Sequence, residues 1–205
     1  MDAAKPLRAD ALRNREALIT KAREAFDAGN FDLRFDDFAL LAGVGTGTLY
    51  RHFPTREALV EAVYHDEIAL LCGRARELQE TLPAEQALKE FLRGMIDHMR
   101  DHAGLARTLA TLMGSGSTAP AEGTLAMEEA VSGLIAAGVR EGSLRDDIGA
   151  GSVLMAVHGI GAAYDQPDWD AAAHGVITLV LDGLRRAPRS TASTSTSASA
   201  DGTRG

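Results

Sequence analysis

Three observations predict an all-α fold for this 205-residue chain. Apolar residues recur at helical steps of three and four along most of its length. The strict alternation of a half-buried strand is nearly absent, and Gly or Pro punctuates the periodic segments.

The first helix is expected from about Ala9 to Ala28, with Leu12, Ile19, Ala22 and Phe26 on one stripe and Gly29 as its stop. A short helix from about Asp36 places Phe38 and Ala42 inward, with Ala39 small enough for a close crossing. Gly43 supplies a left-handed turn, Val44 plugs it, and Leu49 and Phe53 face the core from a second short helix. A long helix starts at Thr55, which serves as N-cap after Pro54. Its stripe is Val60, Tyr64, Ile68, Leu71, Ala75 and Leu78. Another helix follows Pro83, striped by Leu88, Phe91, Leu92, Met95 and Met99. A short helix over Leu105–Met113 and a flexible loop at 114–120 lead to helices near 121–141, 146–164 and 168–186. After Pro188 the chain is small, polar and poor in apolar side chains, so it is expected to be disordered. The expected domains are 1–54 and 55–188, with 189–205 as a tail.

The last helix is apolar nearly all round, since Val176, Ile177, Leu179, Val180 and Leu181 cannot share one face. The helix before it carries Gly159, Gly161, Ala162 and Ala163, which permit close backbone approach. A homodimer packed as four helices covers both; a helix wholly internal to one chain is the alternative.

Composition narrows the class. Hydrophobic residues at 45% and charged residues at 24% are ordinary for a soluble globular protein. No apolar run approaches the roughly 18 residues of a membrane span, and the first residues lack an apolar signal core. A lone Cys72 excludes an internal disulfide and fits a reducing compartment, so a cytoplasmic protein is expected. The net charge of −8 is unevenly spread. Residues 1–60 hold nine basic and nine acidic side chains, whereas residues 61–188 hold ten basic against nineteen acidic. The N-terminal quarter is therefore neutral, with Arg51 and Arg56 nearest its glycines, and can host a local field for phosphate.

The glycines of LLAGVGTGTLYRHFPTREAL, residues 40–59, pose the functional question. A dinucleotide fingerprint requires a preceding strand and G-x-G-x-x-G; a P-loop requires Gly-Lys-Ser/Thr. Here the preceding residues are helical in pattern, the spacing is G-x-G-x-G and no Lys follows. A helix-turn-helix fits instead. With Leu49 and Phe53 inward, Thr46, Thr48, Tyr50, Arg51 and His52 lie off the core of a two-turn helix. Hydroxyls, a phenol, a guanidinium and an imidazole suit phosphate oxygens and base edges.

These residues carry a resemblance. LAGVGTGTLYRHFPTREALVEAVY, with LRNREALITKAREAF before it, resembles the TetR family of one-component bacterial transcriptional regulators over about residues 9–64. The resemblance implies about nine helices: a helix-turn-helix DNA-binding domain, then a helical ligand-binding and dimerisation domain. It implies Thr46 at base edges, Thr48 and Tyr50 on phosphates, and His52 on a phosphate or a base, with Gly47 among them. Arg51 stands at a variable position and contributes to sequence choice. Arg56 adds its charge to the start of the long helix to hold a phosphate. Lys5, Arg8 and Arg13 form a possible arm. Two departures stand out. Gly45 replaces a frequent Ser, removing a cap, and Arg34 replaces a frequent Thr, as either a phosphate ligand or a solvated charge.

The implied partners are double-stranded DNA with a palindromic operator, a second copy of the chain and a small-molecule effector; no cofactor and no membrane is implied. Repression relieved by the effector is the leading reading, with activation or metal response as alternatives. Met95, Met99, Leu109, Met113, Met127, Val131 and Leu134 are the candidate lining of an effector cavity, or else plain core. His98 and His102, four apart between Asp97 and Asp101, could share a metal with His158 or Cys72, or simply end a helix. Ser115, Ser117 and Cys72 have no base placed beside them by the sequence, so an enzyme is not expected.

Overall fold

A computed structural model describes residues 4–102, 109, 112–113 and 116–186, with side chains from Ala9 onward. The expected helix over 105–113 falls largely outside these residues. So do Ser115, the side chains of Lys5 and Arg8, and the tail at 189–205.

Among the described residues there are eight helices and no strand. They are α1 (Ala4–Asp27), α2 (Phe35–Leu41), α3 (Thr46–His52), α4 (Arg56–Thr81), α5 (Ala84–Asp101), α6 (Ala119–Glu141), α7 (Ala150–Ala162) and α8 (Trp169–Leu184). The first begins five residues before the expected Ala9, with Pro6 in its opening turn, where a missing N–H breaks no helical bond. Helix α7 starts later than the expected 146 because the preceding segment is otherwise engaged. Leu144 is buried against Gly138, and Arg145 N and Arg186 N bond to the carbonyls of Leu184 and Ser143. That short bridge ties the end of α8 to the turn after α6.

Two apolar clusters organise the chain. The first joins α1, α2 and α3 to the opening turns of α4 around Leu18, Phe26, Phe38, Leu49, Leu59 and Val63. It also takes in Leu109, Met113 and Ala119 from much later in the chain. The second holds the rest of α4 with α5, α6, α7 and α8 around Phe91, Leu92, Ile96, Val131, Leu134 and Ile177. Helix α4 belongs to both. It packs on α1 near its start and on α5 and α6 along its length. At Gly123 an added Cβ would lie 2.6 Å from the Tyr64 hydroxyl, so α4 and α6 approach as closely as glycine allows.

Helices α7 and α8 bury one face each, through Val153, Val157, Ile160, Ile177 and Leu181. The other face of α8 is open: Leu179 is 72% exposed, and Met155 on α7 is 75% exposed. In the single chain, α8 is therefore not wholly internal. No helix among the described residues is long and apolar enough to cross a membrane.

Candidate nucleic-acid interface

The turn between α2 and α3 is built as the sequence requires. Gly43 has φ +67°, a region that costs other residues about 1 kcal/mol, and its N–H bonds to the Leu40 carbonyl. Val44 N then returns to the Ala39 carbonyl at 2.9 Å. Phe38, Ala39, Leu49 and Phe53 are buried, so α3 is fixed on α1 and α2 through one side only. A seven-residue helix is too short to persist alone; packing supplies its order. Gly45 is the N-cap and offers no side-chain cap. Arg51 and His52 fall in the last turn, where cations suit the helix dipole.

The structure brings six of the eight expected DNA-contacting residues onto α3. Thr46, Gly47, Tyr50 and Arg51 are exposed, and Thr48 and His52 are half-buried. Tyr50 sets its ring edge-on to Phe35 at 5.2 Å, which places the start of α2 beside α3. Arg34, the exposed residue at that start, is thereby near the same surface. Its backbone N–H donates to the Asp37 carboxylate at 3.0 Å. The Asp36 carboxylate beside the Tyr50 hydroxyl raises its pKa above the ordinary value, with some loss of hydration adding to the effect. Asp36 thus sets a negative charge among groups otherwise suited to phosphate. On α1, Arg13 is paired with Asp10.

Arg56 departs from the expectation. Thr55 caps α4, its Oγ1 accepting from Ala58 N at 3.3 Å, but the Arg56 guanidinium turns away from solvent. It donates to the carbonyls of Phe31 and Leu33 and lies over the rings of Phe26 and Phe38. Its charge is engaged within the head in this structure.

Two family models match the chain. Residues 18–63 match the bacterial regulatory proteins of the tetR family, and residues 83–186 match the C-terminal domain described as transcriptional regulator SbtR-like. The chain belongs to the TetR family. A TetR transcriptional regulator from Streptomyces coelicolor is 36% identical, with a TM-score of 0.67 over 83% of this chain and 98% of the other. A TetR transcription regulatory protein from Mycobacterium vanbaalenii is 32% identical, with a TM-score of 0.67 over 88% and 100%. The HTH-type transcriptional regulator RutR of Escherichia coli is 28% identical over 104 residues. The chain spans about half the length of that curated relative, 49%, through a match that covers 50% of this chain. TetR-family proteins are regulators and not enzymes.

The candidate effector residues do not form one lining. Met95, Met127, Val131 and Leu134 are buried in the second cluster with Met99 at its edge, whereas Leu109 and Met113 belong to the first. A groove of about 410 Å³ between α4 and α6 is lined instead by Cys72, Arg76, Gln79 and Glu129. Another of about 580 Å³ along α4 and α5 reaches Met95, His98 and His174. His98 and His102 do come together, with ring centres 4.4 Å apart and planes tilted at 42°, but each faces a carboxylate. His98 Nε2 lies 3.3 Å from Glu67 Oε2, and His102 Nδ1 lies 2.8 Å from Asp27 Oδ1. Cys72 points to the Ala126 carbonyl on α6, and His158 is exposed on α7. Among the described residues no three His, Cys, Asp or Glu side chains are grouped to hold a metal.

Sequence reasoning missed Glu67, the only buried charged or polar residue among those described. Arg23 on α1 approaches it to 3.5 Å. Burial pushes its carboxyl pKa up, but the interaction with His98, followed by Arg23 and His102, outweighs that and leaves it below the ordinary value. A signal was present: Glu67 continues the spacing of the buried Val60 and Val63, one step beside the stripe through Ile68.

Proposed function

We propose that the chain is a homodimeric DNA-binding transcriptional regulator that acts in the cytoplasm as a repressor and leaves its operator when a small molecule binds the C-terminal helices. The observation that carries this reading is α3 itself. Leu49 is fully buried while Thr46, Tyr50 and Arg51 face outward from the second helix of a helix-turn-helix. Thr46, at the helix start, is assigned to base edges; Thr48 and Tyr50 to phosphates; His52 to a phosphate or a base; Arg51 to sequence choice; and Arg34 to a phosphate, with a solvated charge as its alternative.

The exposed apolar face of Met155, Val176 and Leu179 supports a two-fold pairing of α7 and α8. Two-fold pairing in turn presents two recognition helices to half-sites about one helical turn apart. An effector that altered the packing of α4 on α5 and α6 would tilt a helix that both clusters share and so move the residues packed on its opening turns.

Selection of bound fragments from random duplex DNA tests the assignment. A palindrome is expected, with Thr46→Ala changing the preferred bases and Tyr50→Phe weakening all sequences by similar factors. No enrichment at low ionic strength would overturn it. Reporter output with the gene present and deleted separates repression from activation.

A further inference from the structure

Arg56 is the first residue of α4, and its side chain touches three other parts of the head. The two carbonyls it binds, those of Phe31 and Leu33, belong to the connection between α1 and α2. Its guanidinium carbon lies 5.9 Å from the ring centre of Phe26 on α1 and 5.5 Å from that of Phe38 on α2. The second carbonyl is directly before Arg34, the N-cap of α2. A planar guanidinium can donate along two edges while its face rests on aromatic rings; an ammonium is a point charge and cannot do both.

We propose that Arg56 is a positioning residue that ties α4 to the entrance of α2, and through α2 sets the attitude of α3 on DNA, instead of holding a phosphate. The proposal rests on the DNA-reading assignment above. The chain of contact is short: Arg56 fixes Leu33, Leu33 precedes the cap of α2, and α2 packs on α3 with Phe35 against Tyr50. Movement of the start of α4 is thereby transmitted to the reading helix by a side chain, in addition to the apolar contacts of Leu59 and Val60.

The test compares wild type with Arg56→Lys and Arg56→Ala. The readouts are affinity for the best duplex enriched from the random pool, the salt dependence of that affinity, and amide exchange at Phe31–Asp37. For Arg56→Lys, which keeps the charge, the strut predicts about a tenfold loss of affinity with an unchanged salt slope. It also predicts amide exchange at Leu33–Asp37 about tenfold faster. Should Arg56→Lys bind like wild type while Arg56→Ala loses about 0.9 of salt slope, Arg56 is a phosphate ligand and the proposal fails. Unchanged exchange, or faster exchange without loss of affinity, also overturns it. Because the Lys variant carries the decision, the proposal stays testable even where Arg56→Ala does not fold. If wild type enriches no duplex, the DNA-reading assignment fails instead, a different result from a Lys variant that matches wild type.

Discussion

His102 at the end of α5 places its Nδ1 2.8 Å from the Asp27 carboxylate at the end of α1. That contact, with Arg23 reaching Asp66 and Glu67 on α4, joins α1 to α4 and α5 by polar contacts as well as by apolar packing. Glu67 is the buried member of the group, and one of its oxygens has no hydrogen bond of good geometry. Such a group destabilises the fold unless its charged neighbours remain in place.

The stability of the protein should therefore depend on Glu67 in acid. A carboxyl whose folded pKa lies below its unfolded value near 4.5 stabilises fully above that value, and the contribution is lost as pH falls through the folded one. Thermal melts of wild type should fall steeply below about pH 4.5, and those of Glu67→Gln less steeply. At neutral pH the variant should be less stable by about 1–3 kcal/mol, because Arg23 loses its counter-charge and His98 the carboxylate it faces. Parallel curves would rule out a role for Glu67 in this slope.

Asp36 is expected to oppose DNA binding. Its carboxylate raises the pKa of the neighbouring Tyr50 hydroxyl and adds negative charge beside the reading helix. Asp36→Asn should tighten binding to all duplexes by roughly two- to fivefold at low salt, with less gain at high salt. Weaker binding measured by fluorescence anisotropy would mean that Asp36 orients Tyr50 for contact.

Thr55→Ala removes the cap of α4 and should cost about 1 kcal/mol, lowering the Tm by roughly 2–4 °C for a chain of this size. Differential scanning calorimetry reads the change directly. A Tm equal to that of wild type would show that the 3.3 Å bond to Ala58 contributes nothing in solution.

Leu179→Arg places a charge on the open face of α8. Sedimentation should show monomer where wild type shows dimer, with melting of the single chain little altered because Leu179 is outside its core. A variant that still sediments as a dimer would put the interface elsewhere.

Much of the head was legible because its signals are local. Gly43 needs a turn that only its neighbours define, Thr55 caps its helix through an N–H three residues away, and Leu49 and Phe53 are one helical step apart. The direction of the Arg56 side chain was not legible, since the carbonyls it binds lie 23 and 25 residues earlier. The charges around Glu67 were hidden for the same reason: its partners come from α1 and α5, so Val63 and Tyr64 on its own helix face marked its burial but not its ion pairs. The seven candidate pocket residues share helical periodicity, which says that they face inward but not which interior they face. The structure divides them between two.

The first cluster draws Leu109, Met113 and Ala119 from a point far down the chain. A graft of residues 1–54 onto another regulator would arrive with part of its floor missing. Exchanging operator specificity between such proteins is better attempted by rewriting the outward side chains of α3 than by transplanting the head whole.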